Sequence, residues 1–237
     1  VYVKPLVSKN MLEIEVTVQN QTAKKTEIQL QGNIHEWVNC AGTDINSAPV
    51  PDWTLGNEAL LVAPVKIAVA ANTSQKVTLQ VPVTKDVLKY WTPEHPNLYA
   101  LLLSIKNQKQ TVDTKYERFG WREWTLQGTT QCLNGEPYVL HGDSWHFMGI
   151  PQMTRRYAWA WFTAIKGMNA NAVRPHAQVY PRFYLDMADE MGSCGLNETA
   201  NWASDGGPKL DSDLFWEASK EHLKRFVLRD RNHASVF

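Results

Sequence analysis

The chain has 237 residues, enough for one or two domains with a sizeable core. Lys plus Arg equals Asp plus Glu at 24 each, so no overall field draws the chain to nucleic acid or to an anionic membrane. No apolar run approaches a membrane span, no basic-then-apolar leader opens the chain, and three widely spaced cysteines, Cys40, Cys132 and Cys194, fit neither a zinc site nor a disulfide scaffold and read as thiols.

Val1 in place of an initiating methionine reads as a processed or cut terminus with which any targeting signal would be lost, so localisation is left unknown, an extracellular or periplasmic one being favoured over others. Over residues 11–19 the chain alternates, with Leu12, Ile14, Val16 and Val18 on one face and Glu13, Glu15, Thr17 and Gln19 on the other. That period of two predicts a strand with one face in a core and one in water. Asn20-Gln21-Thr22 supplies a turn, Ile28 and Leu30 resume the alternation, Val77, Leu79 and Val81 repeat it, and Leu101, Leu103 and Ile105 form a further strand. Several short alternating strands joined by turns predict an antiparallel sandwich of immunoglobulin-like size. Nothing in this half gathers catalytic residue types, and His35 and His95 are isolated.

From residue 138 the pattern changes. Residues 138–141, 171–174 and 194–198 read as short buried strands. Between the first two, Trp159, Phe162, Ala164 and Ile165 have helical spacing up to Gly167, and between the last two Phe183, Met187, Ala188 and Met191 do so up to Gly192. Strand, helix, strand, helix, strand predicts a parallel sheet with right-handed crossovers, the opening of an α/β barrel whose chemistry sits where each strand ends. Those ends deliver His141 to His146, Arg174 with His176, and Glu198. A last helix, over about 211–231, is expected to turn Phe215, Leu223 and Phe226 inward and Lys220, Lys224 and Arg225 outward.

Three segments, Trp91-Thr92-Pro93-Glu94-His95-Pro96-Asn97-Leu98-Tyr99, Phe119-Gly120-Trp121-Arg122-Glu123 and Leu133-Asn134-Gly135-Glu136-Pro137, resemble the sandwich-to-barrel passage of glycoside hydrolase family two. This is the family of the β-galactosidases, β-glucuronidases and β-mannosidases. Ala172-Val173-Arg174, Tyr180-Pro181-Arg182-Phe183-Tyr184, Ala188-Asp189-Glu190-Met191-Gly192 and Leu228-Arg229-Asp230-Arg231-Asn232-His233 resemble it as well, in the same order along the whole chain. The resemblance implies a multi-domain β plus α/β chain: an immunoglobulin-like β-sandwich at 1–113, a connecting segment at 114–129, and at 130–237 the truncated N-terminal part of a (β/α)8 TIM barrel.

It further implies a fragment of a retaining β-glycosidase acting on β-galactosides or related glycosides. Such enzymes place two carboxyl groups roughly 5 to 5.5 Å apart, a nucleophile and an acid/base. In the resembled family these are glutamates after the fourth and seventh barrel strands, so no catalytic residue is expected within the chain, which is expected to be inactive by itself. Substrate contacts are expected from His146, Arg174, His176, Glu198 and Trp202. Arg174 offers a fixed fork of donors, and Trp202 a ring for stacking on a sugar. Each has a plainer reading: an Arg174–Glu198 pair that ties strands, a loop-capping His146, an indole packed under a loop. Asn197 departs from the family aspartate, which favours a rival reading as a non-catalytic carbohydrate-binding or assembly module. A metal set of His141, Asp143, His146, His176 and Glu198 is the less favoured alternative, because one strand face would not present two of the histidines. No cofactor or metal is implied. The partners implied are a carbohydrate substrate and, through the incomplete barrel, another copy of the chain; nucleic acid and membrane are not.

Overall fold

The computed structural model describes residues 1–41, 50–108, 110–146, 149–201 and 210–237. These residues divide into two compact units, one built from Val1–Cys40 with Trp53–Tyr138, the other holding Val139–Phe237.

The first unit carries β1 (Tyr2–Leu6), β2 (Met11–Asn20), β3 (Thr26–Asn39), β4 (Trp53–Val69), β5 (Thr73–Pro82), β6 (Leu98–Asn107) and β7 (Gln110–Phe119). They form two antiparallel sheets, ordered β1-β2-β5 and β4-β3-β6-β7. Leu12, Ile14, Val16 and Val18 of β2 are buried, as their spacing predicts, against Leu30 and Ile34 of β3 and Leu101 and Leu103 of β6 in one shared core. Two long strands carry no readable alternation, β4 and β7. Both lie at sheet edges and face water over most of their length, so burial never imposed a hydrophobic period on them. Residues 114–119, placed in the connecting segment on sequence grounds, belong to β7 and pair with β6.

A small meander follows: β8 (Trp124–Gln127), β9 (Thr130–Leu133) and β10 (Glu136–Pro137). Here the three family-like segments meet. The Trp91 N–H donates to the Trp121 carbonyl at 2.9 Å, the Asn134 side chain donates to the Trp91 carbonyl at 3.2 Å, and Asn134 and Glu123 exchange two further bonds. Trp91 itself is fully buried. Residues 43 positions apart in sequence are thus joined through one asparagine.

The second unit opens with β11 (Gly142–Trp145), followed by α1 (Arg155–Gly167), β12 (Ala172–Pro175), α2 (Arg182–Met191), β13 (Cys194–Gly195) and α3 (Asp213–Asp230). The strands are parallel in the order β11-β12-β13. Beyond β13 the Gly195 N–H donates to the Ser235 carbonyl at 2.8 Å, and Val236 continues the parallel pairing. Thr154 caps α1 by accepting from the Tyr157 N–H, and Gly192 ends α2 in the left-handed region at φ 72°. At Gly142 a Cβ would lie 2.4 Å from the Ala172 carbonyl oxygen, so only glycine lets β11 and β12 approach there.

Two expectations are corrected. The first parallel strand is not at 138–141 but four residues later: Val139 is 67% exposed, whereas Trp145 goes inward among Tyr157, Trp161, Tyr180 and Tyr184. An indole ringed by four aromatics buries far more apolar surface than the earlier run offers, and it sets the strand position. The last helix does not turn Phe215, Leu223 and Phe226 into a core. Only Asp230 of α3 is buried, and Leu223 is 48% exposed.

Candidate functional site

The C-terminal ends of β11, β12 and β13 gather His146, Arg174, His176 and Glu198. Arg174, the third residue of β12, is aligned with Ser144 of β11. Residues directly opposite in adjacent strands share a sheet face, and the Arg174 guanidinium donates to the Ser144 hydroxyl at 3.1 Å. On the other side it donates to the Glu198 carboxylate at 2.8 Å. The second Glu198 oxygen accepts from the Ala177 N–H at 3.0 Å. Ala177 sits at φ 48°, a left-handed conformation that a non-glycine residue seldom adopts. Glu198 thus holds both the arginine and a strained turn.

That arrangement lowers the Glu198 carboxyl below its ordinary value of 4.5. The main cause is the Ala177 N–H, helped by the hydrogen bond and charge of Arg174 and by His176, and opposed by partial desolvation. The pair is 39% exposed on the arginine side and 29% on the glutamate side, so it lies open to a ligand. Beside it the His146 and His176 rings stack at 4.2 Å and 25°, and the His176 N–H donates to the Trp145 carbonyl at 2.9 Å. His146, Arg174, His176 and Glu198 therefore all belong to the strand-end region. Trp202 lies outside the described residues.

Two histidines of the metal alternative, His146 and His176, are the ones that stack on each other. Among the described residues the group whose ligand atoms fall within 4.8 Å is Asp186, Asp189 and His233. Its role is visible from its bonds. Asp189 on α2 bonds His233 Nδ1 at 2.7 Å and accepts from the Ser235 N–H at 2.8 Å, so it fastens the segment that pairs with β13. A second buried pair, Arg155 on α1 with Glu190 on α2, ties the two helices. Sequence reading missed both functions. The available signal was Asp189-Glu190 among Met187, Ala188 and Met191, two carboxylates on the buried side of an otherwise apolar helix.

Asn197 donates to the Asp230 carboxylate at 3.4 Å, and Asp230 also receives two bonds from Arg229. An aspartate at 197 would bring a second carboxylate to Asp230, which is 2% exposed. The amide therefore has a local physical reason.

Residues 1–122 match the family model of Glycosyl hydrolases family 2. A Formosa agariphila protein provisionally named beta-glucuronidase is 32% identical over 192 residues, 76% of this chain and 18% of that protein. A beta-galactosidase of Pseudoalteromonas haloplanktis is 30% identical, over 62% of this chain and 15% of its own length. Among solved structures, the Bacteroides uniformis beta-glucuronidase aligns over the whole chain with a TM-score of 0.74 at 20% identity, using 26% of that chain. A beta-galacturonidase from Eisenbergiella tayi does so with a TM-score of 0.75 at 18% identity, using 39%. The chain thus spans about a sixth of those two curated relatives, and the structural likeness concerns the fold.

Proposed function

The chain belongs to glycosyl hydrolase family 2, and from that premise we propose that it is part of a retaining β-glycosidase acting on β-galactosides or related glycosides. In this reading Val139–Phe237 is the opening of the catalytic (β/α)8 barrel. The supporting observation is the strand-end cluster of Arg174, Glu198 and the stacked His146 and His176, on parallel strands whose spatial order follows the chain. The Arg174 fork is held on two sides by Ser144 and Glu198, which leaves further N–H donors for sugar hydroxyls without a cost for ordering the side chain on binding. Glu198 stays ionised and positions Arg174 rather than serving as an acid. The catalytic acid/base and nucleophile come from residues outside 1–237, and the chain by itself does not turn over glycosides.

The rival reading, a carbohydrate-binding or assembly module, drew on Asn197. The bond to Asp230 gives that amide a local role, which supports the enzyme reading over the rival. The exposed apolar residues Leu214, Trp216, Leu223, Val227 and Leu228 of α3 support self-association of the isolated chain, which light scattering would register as a mass above 27.0 kDa.

The deciding experiment uses the full-length parent with aryl β-galactosides and β-glucuronides. Arg174→Ala lowers kcat/KM by about 10²-fold with the circular dichroism spectrum unchanged, the size expected when a positioning contact is lost. Wild-type kinetics in that variant would remove Arg174 from the site. Turnover by residues 1–237 alone, abolished by Glu198→Gln, would overturn the assignment of the carboxylates.

A further inference from the structure

The charge balance of the whole chain conceals a local imbalance on the first unit. At one end of the four-stranded sheet lies a concavity of about 1120 Å³, lined by residues 22–29, 66–68 and 106–108. Four lysines line it, Lys24, Lys25, Lys66 and Lys106, against a single acid, Glu27.

Their placement follows from sheet register. Gln29 of β3 stands opposite Lys66 of β4 on one side and opposite Lys106 of β6 on the other. Opposed residues share a face, and Ile28 and Leu30 point into the core, so Lys66, Gln29 and Lys106 form a row across three strands on the outer face. Strands are spaced by about 4.8 Å, which puts the two lysine backbones roughly 10 Å apart. Lysine at a sheet edge is a common guard against aggregation, but β6 is an inner strand, so that explanation does not reach Lys106.

Lys24 and Lys25 belong to a turn that is fixed in advance. Asn20, 8% exposed, donates to the carbonyls of Lys24 at 2.8 Å and of Val69 and Ala70 at 3.1 Å, and accepts from Thr22 through both its N–H and its hydroxyl. The turn is thereby tied to the end of β4. Two other lysines of this unit do find acids, Lys4 with Glu13 and Lys76 with Glu15. Lys24, Lys25, Lys66 and Lys106 are in no ion pair among the described residues.

We propose that this concavity binds an acidic polysaccharide, its carboxylate or sulfate groups paired with Lys24, Lys25, Lys66 and Lys106 and its hydroxyls met by Gln29. Lysine is a compact, mobile point charge suited to anions spaced along a chain, whereas bidentate capture of one group calls for arginine. The open, lysine-lined concavity suits an extended glycan more than an enclosed apolar ligand. The choice of a polysaccharide over other polyanions rests on the glycosidase reading above: the site would hold a charged polymer near the enzyme that trims it.

The test is affinity gel electrophoresis of the 237-residue chain in near-physiological salt. The gels contain polygalacturonate, dextran sulfate, unsubstituted dextran or polyphosphate. Retardation by polygalacturonate or dextran sulfate is expected, and which of the two retards identifies carboxylate or sulfate as the group bound. Unsubstituted dextran and polyphosphate should have no comparable effect. Lys66→Gln/Lys106→Gln should weaken the apparent affinity at least fivefold, whereas Lys4→Gln/Lys76→Gln, which removes the same charge from paired positions, should leave it unchanged. Equal retardation by polyphosphate, equal loss in both double variants, or no retardation by either acidic glycan overturns the proposal. Binding is read without turnover, so its failure leaves the glycosidase reading intact, and an inactive parent that still binds would separate the two in the other direction.

Discussion

The Asn197 side-chain amide donates to the Asp230 carboxylate at 3.4 Å across 33 residues of sequence, linking the segment after β13 to the end of α3. Asn197→Asp replaces a donor by a second carboxylate beside a buried one. Thermal unfolding should show a loss of about 1–3 kcal/mol at neutral pH, the range for a buried polar group deprived of its partner. An equal stability at pH 7 would mean that Arg229 alone satisfies Asp230.

Glu198 gives a pH signature. Its carboxyl is held below the ordinary 4.5 in the folded chain, first by the Ala177 N–H. A depressed acid contributes stability that is fully present above the unfolded value and is lost as pH falls through the folded one. Wild type and Glu198→Gln should therefore differ most in melting temperature above about pH 5 and converge in more acidic solution. A difference that grows on acidification would contradict the geometry.

Arg155 and Glu190 are both nearly inaccessible, with side chains 7% and 2% exposed. Arg155→Ala should cost about 3–5 kcal/mol, because the Glu190 carboxylate stays buried after losing that cation. Arg155→Met/Glu190→Leu should recover most of the loss, since a well-packed apolar pair avoids desolvating either charge. Chemical denaturation of the three proteins gives the comparison, and additive losses in the double variant would rule out the pairing.

Cys132 and Cys194 are fully buried and Cys40 is exposed, all three as free thiols. A thiol reagent should modify one group quickly under native conditions and the other two only after denaturant is added. Two fast thiols would place one of the buried strands at the surface.

Much of this could be read from residue order alone, and the misses have physical causes. Strand β2 was plain because one face is buried along its whole length, whereas β4 and β7 were hidden because an edge strand facing water has no pattern to keep. The first parallel strand was misplaced because Tyr138-Val139-Leu140 is apolar yet not buried as a strand, and Gly142-Asp143-Ser144 is polar yet paired with β12. Arg174 and Glu198 were legible as strand-end residues, but no spacing rule announces that Ala177 would complete their network from a left-handed turn. The Asp189–His233 bond spans 44 residues and surfaces only in three dimensions. The lysine row is likewise invisible in a net charge of zero, because register and not sequence neighbourhood assembles it.

The parallel sheet of the second unit is laid down in the order of the chain: β11, then β12, then β13, then Val236. On a ribosome this means that every new strand emerges to find its template already waiting, after delays of a few seconds at about 5–20 residues per second. Such a sheet grows like a zipper from its N-terminal edge, and Asp189, already fixed on α2, is in place to catch His233 and Ser235 as they arrive.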